Sequence, residues 1–210
     1  MPSIYDIKPR FQALLRPTTR ALAQAGATAN HVTIAAMLGS FAVGATVFVW
    51  GREHAWPLFL VPGFLFLRMA LNAIDGMLAR EHDMKSALGA MLNELGDVFS
   101  DTALYLPLAV VPAVSPPAIV GVAVLAIISE MAGVVAIQIG AGRRYDGPMG
   151  KSDRAFVFGV LTLALGLGWR NERGVAIVLA AVNILLFVTI ANRCRSALRE
   201  ASPERGSDAR

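Results

Sequence analysis

Long apolar runs separated by short polar connections dominate the pattern of this chain. A helix needs about 20 mostly apolar residues to cross a bilayer, because the hydrocarbon core is about 30 Å thick and each helical residue rises about 1.5 Å. Six segments qualify: residues 31–50, 56–78, 89–111, 117–139, 155–169 and 174–191. The fifth is short and needs its flanking residues to complete a span. The pattern predicts an all-α integral membrane protein with six transmembrane helices.

The residues before the first apolar run follow a different pattern. Charged residues are interspersed through this segment, which is unlike a cleaved signal peptide. Its apolar residues recur at three-to-four spacing and form one stripe of a helix: Ile4, Ile7, Phe11, Leu14 and Leu15. Residues 1–29 are therefore predicted to contain an amphipathic helix at the cytoplasmic membrane interface. Pro17 is expected to kink or divide it.

Positive charges are concentrated in alternate connections. Of the 19 Lys and Arg residues, 15 fall in the N-terminal segment, the second and fourth connections and the C-terminal tail, whereas the other side has only Arg52, Arg170 and Arg173. Cytoplasmic flanks are enriched in Lys and Arg. We therefore expect a multi-pass protein of the inner (cytoplasmic) membrane with both termini in the cytoplasm. A six-helix catalytic domain is predicted over residues 30–192, followed by a disordered tail over residues 193–210.

The composition agrees with lipid as the solvent. Of 210 residues, 55% are hydrophobic and 16% charged, and the mean hydropathy is +0.56. A soluble domain has about 25% charged residues, so soluble enzymes, disordered chains and disulfide scaffolds are disfavoured. The one cysteine, Cys194, has no partner for an internal disulfide or a metal site. No nucleic-acid partner is expected.

Ionisable side chains within the apolar runs are the main candidates for chemistry, because such groups are costly at membrane depth. They lie in the second, third and fourth runs: Arg68, Asn72, Asp75, Asn93, Glu94, Asp97, Asp101 and Glu130. At helical spacing, residues 72, 75, 76 and 79 share one face, and residues 93, 97 and 101 share another. The connection between the two runs is short. We therefore expect antiparallel neighbouring helices whose polar stripes face each other near the cytoplasmic surface.

Two stripes that both carry carboxylates would repel each other unless positive charge lay between them. Carboxylate and carboxamide oxygens without His or Cys suit a hard divalent cation, Mg²⁺ or Mn²⁺. Gly76, Ala79 and Gly89 lie on the same faces and permit close approach of a helix or a ligand. The alternative is that these polar groups only hydrogen-bond two helices together.

The stretch from residue 72 to residue 97 resembles the signature of the CDP-alcohol phosphotransferase (CDP-alcohol phosphatidyltransferase) family, D-x-x-D-G-x-x-A-R-x8-G-x3-D-x3-D. In register with it are Asp75, Gly76, Ala79, Arg80, Gly89 and Asp97. Asn72 and Asn93 replace its first and third aspartates. The resemblance extends over the whole chain, including six spans and an N-terminal interfacial helix.

The resemblance implies a metal-dependent enzyme of phospholipid biosynthesis. Such an enzyme transfers a phosphatidyl (substituted phosphoryl) group from a CDP-linked lipid, such as CDP-diacylglycerol, to a small polar alcohol, including phosphorylated alcohols, and releases CMP. It also implies a homodimer and one or two Mg²⁺ or Mn²⁺ ions. Asp97 would be the catalytic base. The metal would be held by Asn72, Asp75, Asn93 and Asp97, with Asp101 as an auxiliary ligand or a partner of the ligands. CDP would contact Asn72, Asp75, Gly76, Ala79, Arg80 and Gly89.

A basic cytoplasmic loop is the candidate acceptor site. Arg143, Arg144, Lys151 and Arg154 lie within twelve residues and could form an anion pocket beside the metal, as in family members that use phosphorylated acceptors. The alternative is topological, because cytoplasmic loops are basic in any case. Glu130 is expected to pair with Arg68, to line the same cavity or to form a structural ion pair.

Two other functions remain open. The two asparagines reduce the negative charge of the site, so the chain could be a weakened relative that binds CDP-lipid or metal without turnover. An ion or solute carrier is less favoured, because no repeated halves or broken helices are visible in the sequence.

Overall fold

The computed structural model describes residues 4–202, and for residues 4–10 it describes the backbone only. Over this range the chain contains helices and connections and no β-strand. The α-helices of the described range are α1 (Ile4–Gln24), α2 (Ala29–Trp50), α3 (Trp56–Glu81), α4 (Ala87–Tyr105), α5 (Pro116–Val135), α6 (Lys151–Gly166) and α7 (Glu172–Ala201). Two short 3-10 helices, Leu106–Val110 and Ala136–Ile139, extend α4 and α5.

Within the described residues 4–202, four helices are long and apolar enough to cross a membrane: α2, α3, α5 with its 3-10 extension, and α7. Two helices fall short of this criterion for reasons that concern the site. α4 carries three carboxylates, Glu94, Asp97 and Asp101, and α6 has only 16 residues, a length of about 24 Å. Many large apolar side chains face outward, including Phe66 and Phe187. The expectation of an all-helical membrane protein is confirmed.

Local capping places the helix starts close to the motif. The Thr28 hydroxyl accepts a hydrogen bond from the backbone N–H of His31 and so caps α2, and the backbone N–H of Thr28 donates to Nδ1 of His31. Ser86 accepts a hydrogen bond from the backbone N–H of Gly89 (2.9 Å) and so caps α4. The connection between α3 and α4 is therefore short, and its Asp83 adopts a left-handed conformation with φ +54°.

Helix α2 packs against both α3 and α4, and these two helices do not pack closely against each other. Polar side chains nevertheless join them, as expected of neighbouring helices with facing polar stripes: Arg68 of α3 pairs with Asp97 and Asp101 of α4. Helix α2 lies very close to α4, because a Cβ on Gly44 of α2 would collide with the carbonyl oxygen of Ala103.

Helix α3 also packs on α6, and α4 and α7 both pack on α5. A large apolar core that includes Leu58, Leu104, Phe158 and Leu179 fills the space between these helices. A separate small cluster, with Ile74 and Leu78 at its centre, joins α3 to α1 and the start of α2. This cluster lies at the end of α3 that carries the motif.

Two expectations about the ends of the chain need correction. Pro17 does not divide α1, which is continuous and packs against α3 through Leu15 and Leu22. The predicted disordered tail does not begin at residue 193, because α7 continues to Ala201 with Arg193 and Ala197 buried. Packing of Ala197 with Ala136 and Ala141 supports this last part of the helix. Residues 203–210 lie outside the described residues.

Candidate active site

Arg68 connects the two motif helices. Its side chain is 3% exposed, projects from α3 and donates to Asp101 (Nη1 to Oδ1, 2.5 Å) and to Asp97 (Nη2 to Oδ1, 3.2 Å) of α4. It also donates to the backbone carbonyl of Asp97 (3.2 Å). A buried charge is stable only when it is paired and hydrogen-bonded. Arg68 therefore holds α4 at a set distance from α3, although the helices do not pack directly.

Asp101 binds a second arginine through its other oxygen. Arg154 of α6, which is 1% exposed, donates to Asp101 Oδ2 through Nε (3.0 Å) and Nη2 (2.7 Å). The remaining donors of Arg154 reach Glu130 Oε1 (3.0 Å) and the carbonyl of Met149 (3.3 Å). Each oxygen of Asp101 thus carries an arginine, so this predicted auxiliary metal ligand serves as a junction between α3, α4 and α6.

Three arginines bind Glu130 of α5. Its Oε1 accepts from Arg154, and its Oε2 accepts from Arg143 (3.0 Å) and lies 3.3 Å from Nη1 of Arg193. The expected pairing of Glu130 with Arg68 is not found, because Arg68 is already occupied by two aspartates. The expectation that Glu130 forms an ion pair is otherwise met.

Arg193 belongs to this network and was missed by the sequence reasoning. It is almost completely buried in α7 and donates to the backbone carbonyls of Ser129 and Asp146. In the sequence it lies just beyond the last apolar run, where cations are expected for topological reasons. Its spacing offers a signal, because Arg193 lies one helical turn after Thr189 and one turn before Ala197, which are both buried.

The basic loop between α5 and α6 is held by carboxylates on several elements. Arg143 binds both oxygens of Glu94, and its guanidinium lies 4.3 Å from the centre of the Tyr145 ring. Burial lowers the pKa of Arg143, but the hydrogen bonds to Glu94 and Glu130 outweigh burial and hold that pKa above its ordinary value. The sequence predicted an anion pocket in this loop. In the structure, Arg143 already binds two acidic partners, Glu94 and Glu130.

Arg144 lies on the outer side of the same loop. It donates to both oxygens of Asp146 (2.8 and 3.0 Å) and also pairs with Glu200 near the end of α7. The hydrogen bond from Arg144 holds the pKa of Asp146 below its ordinary value. Arg144 is thus bound away from the buried network, next to solvent.

Asp97, the predicted base, faces two cations. Lys151 at the start of α6 places Nζ 2.5 Å from both carboxylate oxygens, and Arg68 contacts Oδ1. The Lys151 side chain is 32% exposed, whereas Arg68 is buried. Of the two cations on Asp97, Lys151 is therefore the one that lies towards solvent.

Asp75, the other motif aspartate, is buried in α3. Its Oδ2 accepts a hydrogen bond from the Thr33 hydroxyl of α2 (3.0 Å), and it lies within electrostatic range of Lys151 and Asp97. Asn72 is half-buried one turn earlier on α3, and Asn93 is exposed on α4.

The small motif residues create space at two points. A Cβ on Gly76 would lie 3.1 Å from the nearest guanidinium nitrogen of Arg80, so Arg80 lies over that glycine. Ala79 is half-buried on the same turn. A Cβ on Gly89 would lie 2.8 Å from Oδ1 of Asn30, so Gly89 also permits the first turn of α4 to approach α2.

The donor set decides whether a metal fits. Within residues 4–202 no group of three or more His, Cys, Asp or Glu side chains is arranged to hold a metal ion. A metal between α3 and α4 would therefore use Asn72 and Asn93 together with Asp75 and Asp97. Four oxygen donors of this kind fit a hard divalent cation that also takes ligands from a phosphorylated substrate.

Comparisons with known proteins identify two relatives by sequence. The chain is 43% identical over 201 residues to the inner membrane protein YnbA of Escherichia coli K12, covering 93% of this chain and 96% of YnbA. It is 32% identical over 104 residues to an uncharacterized protein of Aquifex aeolicus, covering half of each chain.

Its fold resembles two crystal structures of Mycobacterium tuberculosis phosphatidylinositol phosphate synthase (PgsA1). The complex with CDP-DAG matches with a TM-score of 0.73 at 21% identity and covers 92% of this chain and 96% of PgsA1. The complex with manganese and citrate matches with a TM-score of 0.74 at 20% identity, covering 92% and 91%. The family model for CDP-alcohol phosphatidyltransferase matches residues 27–192. This chain therefore belongs to the CDP-alcohol phosphatidyltransferase family.

Proposed function

We propose that this protein transfers a phosphatidyl group from CDP-diacylglycerol, or a related CDP-lipid, to a small polar alcohol and releases CMP. The observation that carries the proposal is the position of Asp97, which lies at the end of the family signature with Lys151 and Arg68 on its carboxylate. The CDP-DAG complex of PgsA1, which shares the fold, supports the choice of donor.

Asp97 accepts the proton of the alcohol in this proposal. The alcohol oxygen forms a bond to the phosphatidyl phosphorus, the bond from that phosphorus to the CMP oxygen breaks, and CMP leaves with the electron pair. A base within hydrogen-bond reach of the hydroxyl typically contributes about 10²–10⁴-fold to such a step. Arg68 keeps Asp97 oriented from the buried side, and Lys151 moves aside to admit the alcohol.

The remaining motif residues bind the donor. Asn72, Asp75, Asn93 and Asp97 would hold Mg²⁺ or Mn²⁺, and the manganese complex of PgsA1 supports a divalent ion. When bound, that ion neutralises the pyrophosphate as charge develops on CMP. Asn72, Asp75, Gly76, Ala79 and Gly89 would line the nucleotide site, and Arg80 would contact a phosphate. Asp101 acts as a positioning residue, because its oxygens hold Arg68 and Arg154.

The acceptor would enter beside Lys151, between the start of α6 and the α5–α6 loop. Arg143 and Arg154 border this region from the buried side, and Arg144 borders it from the outer side. We propose that these four cations form the acceptor end of the site and that the carboxylates that bind Arg143, Lys151 and Arg154 set which acceptors bind.

The proposed membrane arrangement has six crossings, α2 to α7, in a catalytic domain over residues 30–192. In this arrangement α1 lies at the cytoplasmic interface of the inner membrane, residues 193–210, which include the end of α7, lie on the cytoplasmic side, and the protein is a homodimer. The distribution of Lys and Arg supports the orientation. Cys194 is exposed, so labelling with a membrane-impermeant maleimide tests it. Labelling in inverted vesicles and not in intact spheroplasts is expected, and the reverse would place the tail outside.

A CMP-release assay tests the activity. Purified protein is incubated with CDP-diacylglycerol, Mg²⁺ or Mn²⁺, and glycerol, glycerol phosphate, inositol, inositol phosphate, serine or choline. Asp97→Asn is expected to reduce CMP release by about 10²-fold or more, whereas Asp83→Asn, which removes an exposed carboxylate from the α3–α4 connection, should leave it unchanged. Folded protein that releases no CMP with any acceptor would count against the proposal.

The second candidate is a weakened relative that binds CDP-lipid or metal without turnover, and the specific observation in its favour is the pair Asn72 and Asn93. Restoring aspartate at both positions separates the candidates. A gain of CMP release from zero favours a degenerate site, whereas a loss from a measurable rate shows that the asparagines belong to a working variant.

A further inference from the structure

The arginines near the acceptor end of the site are matched by carboxylates of the same chain. Five cations take part in the buried network, Arg68, Arg143, Lys151, Arg154 and Arg193, and four carboxylates bind them, Glu94, Asp97, Asp101 and Glu130. Charge is therefore nearly balanced before any substrate binds. An open phosphate site would instead present unpaired cations.

Glu130 is the centre of this balance. Its side chain is 9% exposed, it extends from α5 in the middle of the arginines, and both of its oxygens bind guanidinium groups. Three arginines from three different elements, the α5–α6 loop, α6 and α7, converge on this one carboxylate. Several arginine donors that converge on one anion are typical of a phosphate-binding site. Here the anion that the arginines bind is the Glu130 carboxylate.

A phosphorylated acceptor would have to compete with the Glu130 carboxylate for the same arginines. Placing a phosphate dianion on Arg143, Arg154 and Arg193 would either displace Glu130 into a buried position without its partners or bring like charges together. Both outcomes are costly where water is excluded. An uncharged hydroxyl group at Lys151 and Asp97, by contrast, would bring no anion to the three arginines that bind Glu130.

We propose that Glu130 is a built-in counter-anion that makes the acceptor of this protein an alcohol without a phosphate monoester. The inference rests on the proposed function, because it names the acceptor class for the same site. Glu130 is a specificity-determining and positioning residue in this scheme and does not touch the reacting atoms.

Binding of glycerol 3-phosphate and of glycerol to purified protein with Mn²⁺ and CMP tests the inference without turnover. The variants are Glu130→Gln and the matched control Glu200→Gln, which removes a carboxylate that pairs with Arg144 and is 45% exposed. Glu130→Gln is expected to bind glycerol 3-phosphate at least about tenfold more tightly than wild type, since it releases charge-assisted donors. Glu200→Gln is expected to match wild type.

Turnover provides the second measurement. Wild-type protein is expected to release CMP from CDP-diacylglycerol with glycerol and much more slowly with glycerol 3-phosphate, and Glu130→Gln should shift the ratio of kcat/KM towards the phosphate ester by about tenfold or more. If no acceptor supports CMP release, the proposed function fails and the binding measurement alone decides the inference.

Three results would overturn the inference. One is wild-type protein that binds glycerol 3-phosphate as tightly as Glu130→Gln does, another is equal gains in Glu130→Gln and Glu200→Gln, and the third is CMP release by wild type that requires a phosphorylated acceptor. The third result needs wild-type protein only, so instability of Glu130→Gln would not protect the inference.

Discussion

Replacing Asp101 by asparagine tests whether the buried ion pairs hold α3, α4 and α6 together. The substitution keeps the size of the side chain and removes one negative charge from between Arg68 and Arg154. One of the two new N–H donors must face a guanidinium group, which has no acceptor. Asp101 is 3% exposed, so water cannot replace the lost interaction.

The expected loss of stability follows from the remaining partners. Breaking a buried ion pair by removing one partner costs about 3–5 kcal/mol, because an uncompensated charge is left behind. Arg68 keeps Asp97 at 3.2 Å, and Arg154 keeps Glu130 at 3.0 Å, so neither arginine is left without a carboxylate. We therefore expect a loss of about 2–4 kcal/mol, below the upper part of that range.

Thermal unfolding in one detergent at one scan rate measures this loss. For a chain of this length 1 kcal/mol corresponds to roughly 2–4 °C, so Asp101→Asn should lower Tm by about 6–12 °C for a loss near 3 kcal/mol. The control is Asp83→Asn. Asp83 lies in an exposed connection and has a left-handed backbone conformation, which asparagine tolerates. The expected change in stability is within about 0.5 kcal/mol. If the two variants have the same Tm, the ion pairs do not hold the helices together.

Three further predictions concern packing, metal and pH. Gly44→Ala should destabilise the protein by about 1–3 kcal/mol, because the new methyl group meets the Ala103 carbonyl, whereas Gly63→Ala meets nothing within 4 Å and should be neutral or slightly stabilising; similar Tm values for both would contradict the close contact of α2 with α4. Removal of divalent ions with a chelator should abolish CMP release and added Mg²⁺ or Mn²⁺ should restore it, while activity that survives exhaustive chelation would exclude the proposed role of the metal. Arg144 holds the pKa of Asp146 low, so their ion pair stabilises the folded loop at pH values above the unfolded carboxylate pKa of about 4. This stabilisation is lost as pH falls through the pKa of Asp146 in the folded state. Protease cleavage of this loop should therefore increase with acidification in wild type and be insensitive to pH over that range in Asp146→Asn.

Local patterns in the sequence predicted the helices and the family. Apolar runs gave helix positions close to those in the structure, as for α2 and α3, because burial of apolar surface and helical periodicity are recorded in neighbouring residues. The ends were less predictable: α7 extends ten residues past its apolar run, since Arg193 and Ala197 find buried partners on other helices. The signature between Asn72 and Asp97 indicated the family directly.

The tertiary structure decided which charged side chains pair with each other. Periodicity placed Asp97 and Asp101 on one face of α4, but it could not reveal that α2 packs against both α3 and α4. It also could not show that Glu130 meets three arginines while Arg68 meets two aspartates. Which charges pair depends on how helices far apart in the chain are arranged and on which buried groups remain without a partner. A local pattern records that a charge must be satisfied at membrane depth, and only the packed helices determine by which residue.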